Sequence, residues 1–182
     1  MNMIREEKRL AAAVAGPQPD KQWGATETYS KNILGPVFFT LSNLAVAGTA
    51  GDPLPPEYVA PDQSPYIIAS DEAFIASVKV SFNTTPLAAL LMCLGTKVTI
   101  NFHFEGQGGV ATEIDLSETI ETEKDVFDYV IDLKALPNKV GLAPGLYMIS
   151  ATAIVGPSSH KCSQKVLGYG YISKVLLQVY EG

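Results

Sequence analysis

Apolar and polar residues alternate along several stretches after residue 65, and this period of two predicts strands that bury one face. The clearest stretches are Phe74–Phe82, Lys97–Glu105 and Phe127–Leu133. Their apolar positions are expected to face the core: Phe74, Ala76, Val78, Val80, Phe82, Val98, Ile100, Phe102, Phe104, Phe127, Tyr129, Ile131 and Leu133. The polar residues between them, including His103, are expected to be exposed.

The expected total is about eight strands. It includes four other segments and the long segment Leu142–Val155. The four are Val37–Val46, Pro65–Ala69, Ala111–Ile120 and Tyr171–Tyr180. Ala111–Ile120 is polar and acidic, which is typical of a strand at the edge of a sheet. Short strands separated by turns predict an all-β antiparallel sandwich.

A short helix is predicted between two of these strands. Thr85 suits the N-cap and Pro86 the first helical position, and the apolar run Leu87–Leu94 ends at Gly95, where glycine is favoured. A buried strand over the same run is the alternative. Farther on, Gly106–Gly109 predicts a hairpin turn, and no helix follows it that would make a phosphate-binding loop.

The stretch Leu142–Val155 combines a turn signal with a long apolar strand. Pro144 and Gly145 suit the two central positions of a β-turn, with positive φ expected at Gly145. Both faces of the strand that follows are largely apolar, which favours a central strand covered on both sides.

The motif L-x-P-G-x-Y at Leu142–Tyr147 resembles the tyrosine corner of immunoglobulin-like and fibronectin type III sandwiches. The resemblance implies an antiparallel Ig-like β-sandwich of about seven to nine strands, in which the Tyr147 hydroxyl bonds to backbone near the turn. The Cys-Trp-Cys order of antibody domains is absent, because Trp23 precedes both Cys93 and Cys162. Since many functions share this fold, the resemblance implies no particular activity.

Residues 1–32 are predicted to form an N-terminal arm, partly helical or flexible, ahead of a sandwich domain at 33–182. Ile4–Ala15 suits a helix that ends at Gly16 and Pro17. A helix this short gains stability mainly by packing an apolar face on another surface. The candidate interaction residues of the arm are Ile4, Leu10, Val14 and Trp23.

Charged residues make up only 18% of the chain, and the formal net charge is −6. An acidic chain disfavours nucleic acid and anionic membranes as partners. No apolar stretch approaches the roughly 18 residues of a transmembrane helix, and the N-terminus does not resemble a secretory signal. A cytoplasmic location is therefore expected. The two cysteines predict no disulfide framework.

Few residues suit catalysis or metal binding. His160 and Cys162 are a local base and nucleophile, but no third group stands beside them, so neither a catalytic nor a zinc site is predicted. Cys93 lies in an apolar run and is expected to be a buried thiol. The acidic run Glu118–Asp128 is expected to be a solvated face. No metal or other cofactor is therefore expected.

The absence of a catalytic motif favours a non-catalytic protein-binding or assembly module, whose partner is another protein or a second copy in a homodimer. The alternative is a small-ligand or carbohydrate-binding sandwich that uses Tyr58, Tyr66, Tyr169 and Tyr171. A hydrolase-like enzyme with an unrecognised site is the third hypothesis. Tyrosine and leucine exposed on a sheet would favour assembly, whereas a concave tyrosine-lined pocket would favour ligand binding.

Overall fold

A computed structural model describes residues 37–49, 67–109, 112–161 and 168–182. Within these ranges the chain forms eight strands: β1 Phe39–Gly48, β2 Ile67–Ala69, β3 Phe74–Phe82, β4 Thr96–Gln107, β5 Glu113–Glu121, β6 Asp128–Ala135, β7 Gly145–Ser158 and β8 Gly168–Tyr180. Helix α1 spans Pro86–Cys93, between β3 and β4, and helix α2 spans Pro137–Val140, between β6 and β7.

The strands form two sheets. One has three strands in the order β1-β3-β6, and the other has five in the order β2-β8-β7-β4-β5. Neighbouring strands run antiparallel, except that β2 pairs parallel with β8. The five-stranded sheet is curled as a half-barrel. The architecture is therefore all-β and sandwich-like, as the sequence predicts, and the acidic strand β5 lies at a sheet edge.

The hydrophobic core lies between the two sheets and takes its side chains from the predicted inward positions. All five apolar positions of β3 and all four of β4 are buried. Two aromatic rings from opposite sheets, Phe74 and Phe104, pack edge to face with their centroids 5.6 Å apart. Such a pair contributes beyond its area, by about 0.5–1.5 kcal/mol. Tyr129 and Phe127 are only partly buried and pack at the margin of the core.

Helix α1 forms where its cap residues predict it, so the alternative of a strand is wrong. The Thr85 side chain accepts a hydrogen bond from the Ala88 amide at 3.3 Å, and Gly95 takes a positive φ of 66° beyond the last turn. The prediction of a buried Cys93 thiol is also wrong, because this side chain is exposed. With 3.6 residues per turn, Cys93 cannot share the face that buries Ala88 and Met92.

Two buried threonines connect helix α1 to the five-stranded sheet. The Thr96 hydroxyl donates to the Leu91 carbonyl at 2.8 Å, and the Thr96 amide donates to the Thr122 hydroxyl at the same distance. The Thr122 hydroxyl in turn donates to the Met92 carbonyl at 3.1 Å. These bonds satisfy carbonyls at the helix C-terminus that would otherwise lack partners, and so hold α1 against the start of β4.

The turn before β7 differs from the prediction. Gly145 is the first residue of β7 and is not among the residues with positive φ, so the expected turn geometry is wrong. The positive φ, 85°, falls instead at Gly141, which caps helix α2. Tyr147 is fully buried, and its hydroxyl donates to the Ala143 carbonyl at 2.6 Å. Pro144 immediately precedes β7, within the turn that the hydrogen bond between Tyr147 and Ala143 closes.

Strand β7 is central, between β8 and β4, but its outer face is covered only in part. The face with Tyr147 and Ile149 is buried in the core, whereas on the other face Leu146 is exposed and Ile154 is half-buried. The prediction of a central strand is therefore confirmed, whereas full cover on both sides is wrong for the described residues. A strand is central when it forms backbone hydrogen bonds with a neighbour on each side. Covering the outer face of such a strand requires another layer of structure.

Several predicted residues lie outside the described ranges. The arm residues Ile4, Leu10, Val14 and Trp23 are among them, together with Tyr58, Tyr66 and Cys162. Within the described ranges, no helix is long and apolar enough to span a lipid bilayer.

Candidate functional site

The outer surface of the five-stranded sheet is the candidate site, and we call the surface formed by β8, β7, β4 and β5 the open face. Strand register sets which side chains meet on it. Thr152 on β7 lies opposite Tyr171 on β8 and Asn101 on β4. One row along, His103 on β4 lies opposite Asp115 on β5. Cross-strand neighbours of this kind have Cβ atoms about 4.5–5.5 Å apart.

A continuous hydrogen-bond chain crosses three strands of this face. The Nδ1 atom of His103 lies 2.7 Å from a carboxylate oxygen of Asp115, and its Nε2 atom lies 2.9 Å from the Thr152 hydroxyl. The Asn101 side-chain amide donates to the same hydroxyl at 3.4 Å. We call these four residues, Asn101, His103, Asp115 and Thr152, the Thr152 cluster.

The carboxylate of Asp115 orients the His103 ring. A carboxylate only accepts hydrogen bonds, so the Nδ1 atom that faces it carries the proton. In the neutral imidazole the Nε2 atom then has a free lone pair, and the Thr152 hydroxyl donates to it. The His103 side chain is 28% exposed, so the imidazole borders solvent. The sequence predicts only an exposed cross-strand residue at this position.

The Thr152 cluster has the order of groups that activates a hydroxyl: a nucleophile, a base and a group that orients the base. One feature of acyl-transfer enzymes does not accompany it. Thr152 lies on a central strand that pairs with both neighbours, so the local backbone amides serve the sheet ladders and do not form an oxyanion hole. The side-chain amide of Asn101 donates to the Thr152 hydroxyl itself.

A shallow hollow of about 310 Å³ adjoins the cluster at the β4–β5 margin. Its lining includes His103 and the acidic residues Glu105, Glu113 and Asp115. Acidic side chains in this arrangement disfavour anionic ligands. Across the described part of the chain, no group of three or more His, Cys, Asp or Glu residues is placed to hold a metal ion.

Two exposed tyrosines lie beside the cluster on β8, and an exposed leucine lies on the same face six residues before Thr152 on β7. Tyr169 is 57% exposed, Tyr171 is 39% exposed and Leu146 is 42% exposed. Because Tyr169 and Tyr171 are two residues apart on β8, their side chains lie on the same face. Two tyrosines that the sequence suggests as ligand-binding residues thus lie together beside Thr152, on an open surface and not in a concave pocket.

His160 lies apart from this surface. It is exposed in the loop after β7, and the structure does not describe its predicted partner Cys162. Among the described residues, Asp128 and Tyr129 on β6, away from this surface, have shifted pKa values. The hydrogen bond from Ser81, and then the contact with Lys79, lower the pKa of Asp128. Burial raises the pKa of Tyr129.

Sequence reasoning missed Asp115, Thr152 and Asn101 as members of a site. Each is a single polar residue at an outward position of a strand, which is a common arrangement on any sheet. Their proximity depends on which strands are neighbours and in which register they pair. The sequence does show polar residues at alternate positions of these strands, which places them on outward faces, but it does not show which strands are neighbours.

Comparison with protein-family models finds no match, and comparison with curated proteins finds none either. Among solved structures, the chain is similar to a β-glucosidase from Listeria innocua in complex with isofagomine, with 11% sequence identity and a TM-score of 0.35. The similarity covers 84% of this chain and 16% of that chain. A likeness this distant supports no conclusion about fold family or function.

Proposed function

We propose that this chain is a non-catalytic protein-binding or assembly module that works through the open face. The observation that carries this proposal is the exposure of Tyr169, Tyr171 and Leu146 on one sheet surface. Tyrosine is enriched at protein interfaces and among the residues that dominate binding energy, because it combines a large apolar ring with a hydrogen-bonding hydroxyl. The low content of charged residues, 18%, also suits a surface that becomes buried on assembly.

The proposed partner is a second copy of this chain, since closed homodimers are the commonest assembly and use one surface on both subunits. The open face offers the polar Thr152 cluster, with exposed Tyr169 and Tyr171 beside it on β8 and exposed Leu146 toward the other end of β7. Such a mixture of apolar contacts and satisfied polar groups is typical of protein interfaces.

An Ig-like topology is part of the proposal, and strand pairing supports it. If β7, which follows the tyrosine corner, is strand F, then β8 and β4 at its sides are G and C, and β5 extends that sheet as C′. The opposite sheet then contains A, B and E as β1, β3 and β6. The hydrogen bond of Tyr147 to Ala143 occupies the place of the corner contact.

Light scattering on the full chain, together with a double variant of the open face, tests the proposal. We expect the wild-type chain to dimerise and Tyr169→Ser/Tyr171→Ser to weaken dimerisation at least about tenfold, because truncating a central tyrosine commonly costs over 1 kcal/mol. Val130→Ser is the matched control, since Val130 is 66% exposed on the other sheet. A wild-type chain that stays monomeric at all concentrations, or equal weakening by the control, would contradict the proposal.

The predicted arm residues need a separate test. A chain that lacks residues 1–32 should still dimerise if the open face is the contact surface, whereas loss of the dimer would place the contact in the arm with Ile4, Leu10, Val14 and Trp23. Melting of the truncated chain by circular dichroism checks that the sandwich remains folded.

A carbohydrate-binding module is the second candidate, and one observation favours it. The aromatic ring of Tyr171 shares a row with Thr152 and Asn101, so a flat apolar surface lies beside hydroxyl and amide groups. Apolar walls with a few placed polar groups are typical of small-ligand sites. Titration of the wild-type chain with maltotriose, followed by amide NMR shifts, tests this candidate. Shifts confined to the open face would support it, and unchanged spectra would exclude that sugar.

A further inference from the structure

We propose that Thr152 is an acyl-accepting residue, whose hydroxyl is activated by His103 and takes an acyl group from an activated ester or thioester. This inference goes beyond the proposed binding function and concerns the undimerised chain, in which the open face is accessible to an acyl donor. It is carried by the hydrogen-bond chain of the Thr152 cluster, with 2.7 Å between Asp115 and His103 and 2.9 Å between His103 and Thr152.

The position of the base relative to the hydroxyl supports the inference. A general base must lie within about 2.6–3.2 Å of the oxygen whose proton it removes, and the Nε2 atom of His103 meets this condition. Asp115 holds the proton on Nδ1 and stabilises the imidazolium that forms when Nε2 accepts a second proton. Because these residues lie on adjacent strands of one sheet, the ladder fixes the relative positions of their backbones.

The proposed step transfers one acyl group and changes no oxidation state. The Oγ1 atom of Thr152 attacks the carbonyl carbon of the donor and forms a new C–O bond, while its proton passes to Nε2 of His103. The tetrahedral intermediate then collapses and breaks the bond to the leaving oxygen or sulfur. That atom takes the proton from Nε2, so the products are an O-acyl threonine, an alcohol or thiol, and neutral His103.

The same geometry makes the reaction stoichiometric. The backbone amides around Thr152 are used by the sheet, and the Asn101 side-chain amide donates to the Thr152 hydroxyl itself, so the described residues provide no oxyanion hole. Loss of an oxyanion-hole donor slows acyl transfer by about 10²–10³-fold in both the acylation and the hydrolysis step, so acylation requires an activated ester or thioester and the less reactive acyl-threonine would be hydrolysed slowly. The acyl group would project from the open face beside Tyr171 and Ile154, both of which have apolar surface.

Reaction of the full chain with p-nitrophenyl acetate tests the inference. We expect intact-protein mass spectrometry to show one acetyl group and fragmentation to place it on Thr152. Asp115→Asn and His103→Gln should slow this labelling by about a hundredfold, the scale of general-base catalysis. Thr152→Ser should still be labelled, which shows that substitution at this position preserves the folded site. Circular dichroism melting confirms that each variant is folded.

An internal control is available on the same sheet. The hydroxyls of Thr99 and Thr119 are 2.8 Å apart and form a hydrogen bond, with no imidazole in that pair. Thr119→Val should therefore leave labelling of Thr152 unchanged. Labelling spread over lysines with none on Thr152, or Thr152 labelling that is insensitive to His103→Gln, would overturn the inference. Release of p-nitrophenol by Thr152→Val at the wild-type rate would also overturn it, because the imidazole alone would then be the nucleophile.

Discussion

Replacement of Tyr147 by phenylalanine isolates the contribution of one hydroxyl to the stability of the sandwich. The ring is fully buried, and the substitution keeps it in place. The lost hydroxyl donates to the Ala143 carbonyl at 2.6 Å and accepts from the Thr112 amide at 3.4 Å. The first bond has the shorter and stronger geometry, so most of the loss comes from leaving Ala143 without its partner.

The expected loss follows from the surroundings of this carbonyl. An unsatisfied buried group costs about 1–3 kcal/mol, and because this site is only partly buried we expect a loss of about 1–2 kcal/mol. Urea denaturation should show a lower midpoint with an unchanged slope. The melting temperature should fall by roughly 2–8 °C, at about 2–4 °C per kcal/mol for a chain of this size.

Tyr169→Phe is the matched control, because Tyr169 is exposed and loses the same hydroxyl from the open face. We expect its free energy of unfolding to stay within about 0.5 kcal/mol of wild type, as for most surface substitutions. A loss in Tyr147→Phe no larger than in this control would refute the reasoning about the turn before β7.

Three further substitutions test other parts of the structure. Phe102→Ala should destabilise the domain by about 3–5 kcal/mol in urea denaturation, because the Phe102 side chain is fully buried. A similar loss from Asn101→Ala on the open face would contradict the assigned register of β4. Thr85→Ala removes the capping bond of helix α1 and should cost about 1 kcal/mol; an unchanged denaturation midpoint would show that the cap is dispensable. The pKa of Asp128 is lowered, first by the hydrogen bond from Ser81. The ionised carboxylate therefore stabilises the fold at pH values above the ordinary carboxyl pKa, and this stabilisation is lost as pH falls through the lowered pKa. Wild type and Asp128→Asn should therefore differ in melting temperature at neutral pH and converge in acid.

Local patterns along the chain predicted the elements whose cause is local. Alternation in β3 and β4 identified the buried positions, because side chains of a strand point to opposite faces whatever the strand pairs with. The cap at Thr85 and the glycine at Gly95 identified helix α1 for a similar reason, since capping involves residues close in sequence. Helix α2 was missed, because its four residues are too few to show a helical period.

Exposure of particular side chains was harder to predict. Cys93 lies within an apolar run, yet its position on the helix directs it away from the buried face. The apolar composition of β7 predicted cover on both sides, but the outer face forms part of the open surface with Leu146 exposed. In both cases hydrophobicity indicated a tendency to be buried, while the neighbouring layers determined whether cover existed.

The sequence by itself determined the all-β class, the buried face of each clear strand and the position of helix α1. Tertiary structure alone decided that Asn101, His103, Asp115 and Thr152 form one cluster, because these residues come from three strands and as many as 51 positions separate hydrogen-bonded partners. The physical reason is strand register. A slip of one residue would turn His103 toward the core and away from Asp115, and only the packing of the whole core fixes the pairing that prevents it.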